Sequence, residues 1–248
     1  MFGFLRRRRR AQLRRQPVPG HWTEILAARM PRYARLPEML RHRLLGSMQV
    51  FLAEKYFEGC GGLELNDTMR VTVAAHACLL LMGRDADFYP RLRTILIYPT
   101  AFYVNREEEN ELGLVEEIDD FQEGESWDSG AVVLSWRDVL HDTRKLDGRN
   151  VILHEFAHQL DDQGVIAPQD ATACADWESV LQQHYEAHQV RLERGLPTFL
   201  DPYGAEAPHE FFAVATEAFF ELPVQFRRKL PALYEALRQS WGVNPATW

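Results

Sequence analysis

Residues His154-Glu155-Phe156-Ala157-His158 set two imidazoles four positions apart, with a carboxylate beside the first. On a helix, side chains at i and i+4 lie one above the other, roughly 5 to 6 Å apart, so both rings can close on one ion. Zinc takes imidazole nitrogen at about 2.0 to 2.1 Å, and a catalytic site keeps a fourth position open beside three protein ligands. His154 and His158 are therefore two ligands of a candidate site for one zinc ion per chain. Glu155 points into a neighbouring sector, where it reaches a water rather than the metal. That is the position of a general base, and the chemistry of the pattern is hydrolysis.

The elements that would position these groups can be followed outward from the pentapeptide. Asp147-Gly148-Arg149-Asn150 is turn-like, and Asn150 suits the N-cap of a helix beginning Val151-Ile152-Leu153. Val151, Ile152, Phe156, Ala157 and Leu160 cover most of that helix's circumference, which predicts a buried helix whose polar side chains need partners. The three-histidine pattern H-E-x-x-H-x-x-G-x-x-H demands Gly at 161 and His at 164. The chain has Asp161 and Gly164, so that class is excluded. A third ligand must then come from a later helix, and the stretch from Pro208 to Phe220 is the candidate. There Glu210 and Glu217 share a face with Ala213 or Val214 among apolar neighbours, so both carboxylates are carried inward, where they are costly unless paired or bound to a cation. Glu210 is taken as the third ligand, and Glu217 as the group that orients a His ring or bonds a backbone group. Asp161 either bonds a ligand imidazole or ends the helix turn.

A peptidase of this kind holds an extended peptide against a sheet edge by main-chain hydrogen bonds. Gly130 to Trp136 reads as a strand, and Val133, Leu134 and Ser135 are the expected substrate contacts; an interior strand without substrate contact is the alternative. A second strand, Thr94 to Tyr98, ends at Pro99 and reads as structural. His184 and His188 repeat the i, i+4 spacing in a polar helix, but Glu186 does not stand beside the first His, and they read as a solvated face. His76, inside an apolar run, reads as a hydrogen-bonded core residue. His209 adjoins Glu210 but points off its face and is left out of the site.

The residues resemble the Mlc titration factor A family of zinc peptidases, whose catalytic core is similar to that of anthrax lethal factor. The resemblance runs from about Trp22 to about Trp241. It rests on Ile95 to Pro99, Glu125-Ser126-Trp127 with Gly130 through Trp136, Gly148 through Asp161, Trp177-Glu178, and Glu210 through Phe220. It implies that His154, His158 and Glu210 ligate zinc and that Glu155 is the base. It brings in Tyr203, seven residues before Glu210, as a phenol donating to the developing oxyanion. It also implies aminopeptidase-like activity on small peptides and binding to a sugar-uptake repressor called Mlc. Lethal factor carries a second acid four residues after its ligand Glu, where this chain has Val214, so the role given to Glu217 rests on helix geometry alone.

At 248 residues, 46% hydrophobic and 26% charged, the chain is long enough for one substantial domain. No segment reaches the roughly 18 uninterrupted apolar residues of a membrane span. The start runs apolar then charged, Met1 to Leu5 before Arg6 to Arg10, which reverses the order of a secretory signal. Cys60, Cys78 and Cys174 lack metal spacing and read as reduced thiols of a cytoplasmic protein. Seven Arg fall in the first 15 residues of a chain whose net charge is −8. Residues 1–20 are expected to be a flexible basic arm, with no stable nucleic-acid or membrane partner, contact of the Arg run with anionic lipid or nucleic acid being the alternative, and 21–248 a single domain. Ten acids crowd residues 107 to 125 and read as an exposed loop near the cleft. The expected fold is α+β: a mostly helical zincin-like metallopeptidase domain with a small sheet and an N-terminal helical portion, acting on a peptide or protein substrate. The alternative is a regulatory protein that sequesters a repressor, with peptidase activity secondary.

Overall fold

The computed structural model describes residues 2–84, 87–100, 102–109, 115–122, 124–127, 130–162, 164, 166 and 171–248, with backbone alone for 2, 102–109, 115–122, 124–127 and 171–175. In chain order come helices α1 (Phe2–Leu13), α2 (Gly20–Arg29) and α3 (Glu38–Glu54), strand β1 (Tyr56–Gly59), α4 (Asp67–Leu79) and strands β2 (Thr94–Tyr98), β3 (Phe102–Glu109), β4 (Val115–Gln122), β5 (Gly124–Trp127) and β6 (Ala131–Ser135). Then follow α5 (Trp136–Asp142), α6 (Val151–Asp161), α7 (Ala171–Glu193), α8 (Pro208–Glu221), α9 (Pro223–Lys229) and α10 (Pro231–Trp241). The fold is α+β and mostly helical, as expected.

Local chemistry sets where these elements begin. Asn66, Ser135 and Asn150 cap α4, α5 and α6, each side-chain oxygen accepting a backbone N–H three residues on. Proline opens α8, α9 and α10 at positions where a missing N–H costs nothing. Gly130 enters β6 at φ +81°, with the Arg91 carbonyl so close that a Cβ would meet it at 2.6 Å. Only glycine fits both the left-handed backbone and that approach.

The sheet runs β1-β2-β6-β5; the first three strands are parallel, while β5 returns antiparallel along β6. β2 alternates, turning Ile95 and Ile97 into the core, whereas every residue of β6 is buried, as befits a strand covered on both faces. Helix α6 packs on β5, β6, α4 and α8. Its anchor is Phe156, fully buried between Phe51 and Tyr89 with ring centroids 5.8 and 5.0 Å away. Truncating such an aromatic typically costs about 3 to 5 kcal/mol, so α6 is held firmly where it crosses the core.

Two regions gain definition. Residues 2–13 of the basic arm form helix α1, whose side chains meet the body. Arg6, Arg10 and Arg14 recur every four residues and share one face. Arg10 donates to both Glu54 oxygens at 2.8 and 2.6 Å, Arg6 and Arg10 both pair with Asp87, and the Arg10 and Arg14 guanidinium carbons lie 4.9 and 5.4 Å from the Phe88 ring centroid. These partners lie far along the chain, so local composition cannot reveal them. The acid-rich stretch is also not a simple loop: β3 and β4 form an antiparallel ladder from Phe102↔Gln122 to Glu109↔Val115. Its tip, 110–114, and its side chains lie outside the described residues.

Candidate metal centre

Helices α6 and α8 meet along a seam of ionisable side chains. The Glu210 carboxylate reaches His154 Nε2 at 2.9 Å and His158 Nε2 at 3.5 Å. One turn and more along α8, Glu217 Oε1 accepts from His154 Nδ1 at 2.9 Å, while its other oxygen accepts the Asn150 backbone N–H. Glu221 Oε1 then takes the Asn150 side-chain amide at 3.3 Å. Contacts that climb α8 therefore descend α6, and the two helices run antiparallel. Spacings of seven and four residues keep the three acids on one stripe of α8.

This pairing fixes the tautomer of His154. A carboxylate only accepts, so Nδ1 carries the proton given to Glu217, and a cation that takes the place of the proton between Nε2 and Glu210 meets the Nε2 lone pair. That lone pair faces His158 Nε2 at 3.1 Å and Glu210 Oε2 at 2.9 Å. Three donor atoms converging this closely repel one another unless a cation sits among them, and the three lie within 4.8 Å of one another. His154, His158 and Glu210 can hold a metal ion, and the chemistry of the donor set fits one. Their side chains are 12%, 12% and 14% exposed, enough for one open side.

The electrostatics agree. Burial alone would push His154 toward its neutral form, yet Glu210 and Glu217 outweigh it and raise its proton affinity well above the ordinary value. For Glu210, burial works against the charge, but hydrogen bonds from His154 and His158 hold the carboxyl well below the usual range. A pocket that draws a proton this strongly draws a metal cation by the same field. Burial raises Glu155 to about 7, with the two His opposing the shift, so a carboxyl 5% exposed is poised to exchange a proton near neutrality.

The remaining expected residues fall into three groups. Tyr203 sits on a 3-10 turn, Pro202–Ala205, that Asp201 caps, and its ring centroid is 5.9 Å from that of His154. The turn rests on α8 at Gly204, where an added Cβ would stand in contact, 3.4 Å from the Phe211 Cα and from the Val214 Cβ. Val214, which replaces an acid in the resemblance, thus packs beneath the turn that carries Tyr203. Asp161 is exposed, and among the described residues its carboxylate makes no hydrogen bond to either ligand ring; it closes the helix, its carbonyl accepting the Gly164 N–H at 2.7 Å. Val133, Leu134 and Ser135 correct the substrate-strand expectation. They are buried in β6, where Val133 pairs with both Leu96 and Glu125 and Leu134 with both Ile97 and Gly124, so these two have no free edge, while Ser135 pairs with Tyr98. β5 is the edge strand beside β6, and β1 ends the sheet on the other side.

Three contributors were not foreseen. His209 reaches Glu210 Oε1 at 3.2 Å and its ring lies tilted against that of His158, centroids 5.5 Å apart; its adjacency to Glu210 in the first turn of α8 was the available signal. Asp142 accepts the Val151 N–H at 2.9 Å at the start of α6, where the helix field favours negative charge. Glu221, raised to about 8 by burial, supports Asn150, and the signal was its place on the acid stripe of α8. The second His pair also departs from expectation, since His188 is 6% exposed, with Nε2 donating to the Asp201 carbonyl at 3.1 Å. His76 is the expected core residue, bonding the Thr72 carbonyl at 2.9 Å. A cavity of about 540 Å³ between α7, α8 and α9, lined by His188, Phe199, Phe211 and Leu222 among others, contains none of the three converging ligands.

Comparison with known proteins points the same way. The family model described as glucose-regulated metallo-peptidase M90 matches residues 4–241. The uncharacterized protein slr2042 of Synechocystis sp. is 41% identical over 244 residues, covering 96% of this chain and 89% of its own. Mlc titration factor A from Klebsiella pneumoniae is 33% identical over 233 residues, and that from Escherichia fergusonii 32% over 231, each covering 90% of this chain and 86% of its own. With a match across nearly its full length, this chain belongs to the M90 metallopeptidase family.

Proposed function

We propose that the chain is a zinc-dependent peptidase with a zincin-like catalytic core. The observation that carries this reading is the convergence of His154 Nε2, His158 Nε2 and Glu210 Oε2 at 2.9, 3.1 and 3.5 Å. Tetrahedral zinc with bonds of about 2.0 to 2.1 Å needs ligand atoms roughly 3.3 Å apart, which these separations nearly match. Bound zinc supplies Lewis acidity toward a carbonyl and a water. Glu155 takes the proton of the attacking water and returns it to the leaving amine, a role that suits a buried carboxyl beside the ligand His154. The Tyr203 phenol donates to the oxyanion of the tetrahedral stage. Glu217 holds His154 in the tautomer that ligation needs, and so does its work through that ring.

The extended substrate lies along β5, which is an edge of the sheet and packs against α6. Aminopeptidase-like action on small peptides, as the resemblance implies, belongs to the same reading, as does a cytoplasmic setting in which Cys60 and Cys78 stay free thiols. A second reading follows from the relatives named Mlc titration factor A: the chain also binds a repressor of the Mlc type. A site kept only for such binding has no use for a buried base.

Replacing Glu155 by Gln separates these readings. Turnover of a peptide substrate should fall by about 10² to 10⁴ with zinc content unchanged, and undiminished turnover would sink the assignment of the base. Repressor binding that survives the same substitution would make the two functions separable.

A further inference from the structure

Helix α1 has two faces with different fates. One is consumed by the body: Arg6 and Arg10 hold Asp87, Arg10 holds Glu54, and Leu13 packs against the core. At 3.6 residues per turn, the opposite face carries Phe4, Leu5, Arg8, Ala11 and Gln12, flanked by Arg7 and Arg9, and Arg15 follows in the turn after the helix. All of these residues are exposed, Phe4 by 71% and Leu5 by 58%. Among the described residues, no acid pairs with Arg7, Arg8, Arg9 or Arg15.

We propose that this outward face docks α1 flat on an anionic lipid bilayer, a role independent of the peptidase reading. The Arg side chains meet lipid phosphates, and Phe4 and Leu5 enter the boundary between headgroups and acyl chains. The pairing of features selects this occupant. A solvated Arg stripe gains nothing from two large apolar side chains held in water, and the phosphate backbone of a nucleic acid would satisfy the Arg residues but leave Phe4 and Leu5 wet. An anionic bilayer offers negative charge and an apolar layer a few ångströms below it. Attachment is peripheral, because no helix among the described residues is long and apolar enough to cross a membrane. The docked face explains how the helix is presented: Arg10 and Arg6 fix its orientation on the body, so the other side points outward as a rigid surface and not as a loose tail.

Cosedimentation of the full chain with vesicles tests this. The chain should bind vesicles of phosphatidylcholine mixed with phosphatidylglycerol, not phosphatidylcholine alone, and release as salt rises. Phe4→Ser with Leu5→Ser should weaken binding about tenfold or more, and Arg8→Gln with Arg9→Gln by about 25-fold, at roughly fivefold per charge. All four positions are exposed, so thermal unfolding of each variant should match the parent. Failure to bind the anionic vesicles would overturn the proposal, as would binding indifferent to the Phe4 and Leu5 changes. Tight binding to duplex DNA without vesicle binding would reassign the face to nucleic acid. Self-association abolished by the same changes, without vesicle binding, would reassign it to a second copy.

Discussion

Two histidine pairs in this chain share the i, i+4 spacing and meet different surroundings. His154 and His158 on α6 face the acid stripe of α8, so their Nε2 atoms converge with a carboxylate and one ring has its tautomer fixed by another. His184 and His188 on α7 face backbone: His184 Nδ1 bonds the Val180 carbonyl at 2.9 Å and His188 Nε2 the Asp201 carbonyl at 3.1 Å. Each ring of the second pair spends a nitrogen on a backbone carbonyl, and among the described residues no carboxylate joins them. Spacing on one helix thus gives only the opportunity for a metal site; the opposing element decides whether donor atoms converge.

The largest difference between the pairs should appear on removing what faces them. Glu210→Gln should abolish tight zinc binding, measured by competition with a chromophoric chelator. His184→Ala with His188→Ala should leave zinc affinity untouched and cost about 1 kcal/mol of stability in denaturant titrations, because the half-buried Asp201 carbonyl loses one of its two donors and keeps the Gly204 N–H. Equal effects on zinc would erase the distinction. A smaller loss is expected at the supporting acid: Glu217→Gln keeps the shape but not the charge, and zinc affinity should drop about 10- to 100-fold. Unchanged affinity there would mean that the His154 tautomer is set by something else.

Much of this contrast was legible in the sequence, and the part that was not is tertiary. Asn150 as cap, the buried α6 and the inward stripe of Glu210 and Glu217 all follow from periodicity and capping chemistry within a single helix. β6 was legible as a strand, but β-branched content cannot say whether a strand is interior or edge. The edge beside it fell instead to Gly124–Trp127, a segment of four residues with little apolar character. The placement of the basic arm and of the His184 pair was not legible for one reason: the groups that order them, Asp87 and Glu54 in one case and the Asp201 carbonyl in the other, arrive from another part of the chain.

His76 marks the limit of a buried His with a carbonyl partner and no neighbouring carboxylate within hydrogen-bonding reach. Burial pushes it down to about 4, from an ordinary value of 6.5. Its folded value is depressed, so the unfolded chain takes up the proton first as pH falls. The stability that His76 contributes is complete above about 6.5 and is lost toward 4, amounting to about 2 kcal/mol between pH 7 and pH 5. Denaturant titrations at those two pH values should show His76→Gln lacking that part of the parent's acid loss. An identical loss in both proteins would place the acid sensitivity elsewhere.

The most direct measurement is metal content paired with peptide turnover, for the parent chain and His154→Ala, after chelation and again after zinc is restored. If the seam between α6 and α8 holds catalytic zinc, the parent carries a single zinc ion per chain, loses turnover on chelation and regains it with zinc. His154→Ala should neither bind zinc tightly nor recover. A metal-free parent chain that still hydrolyses peptides would contradict the zinc site at its root.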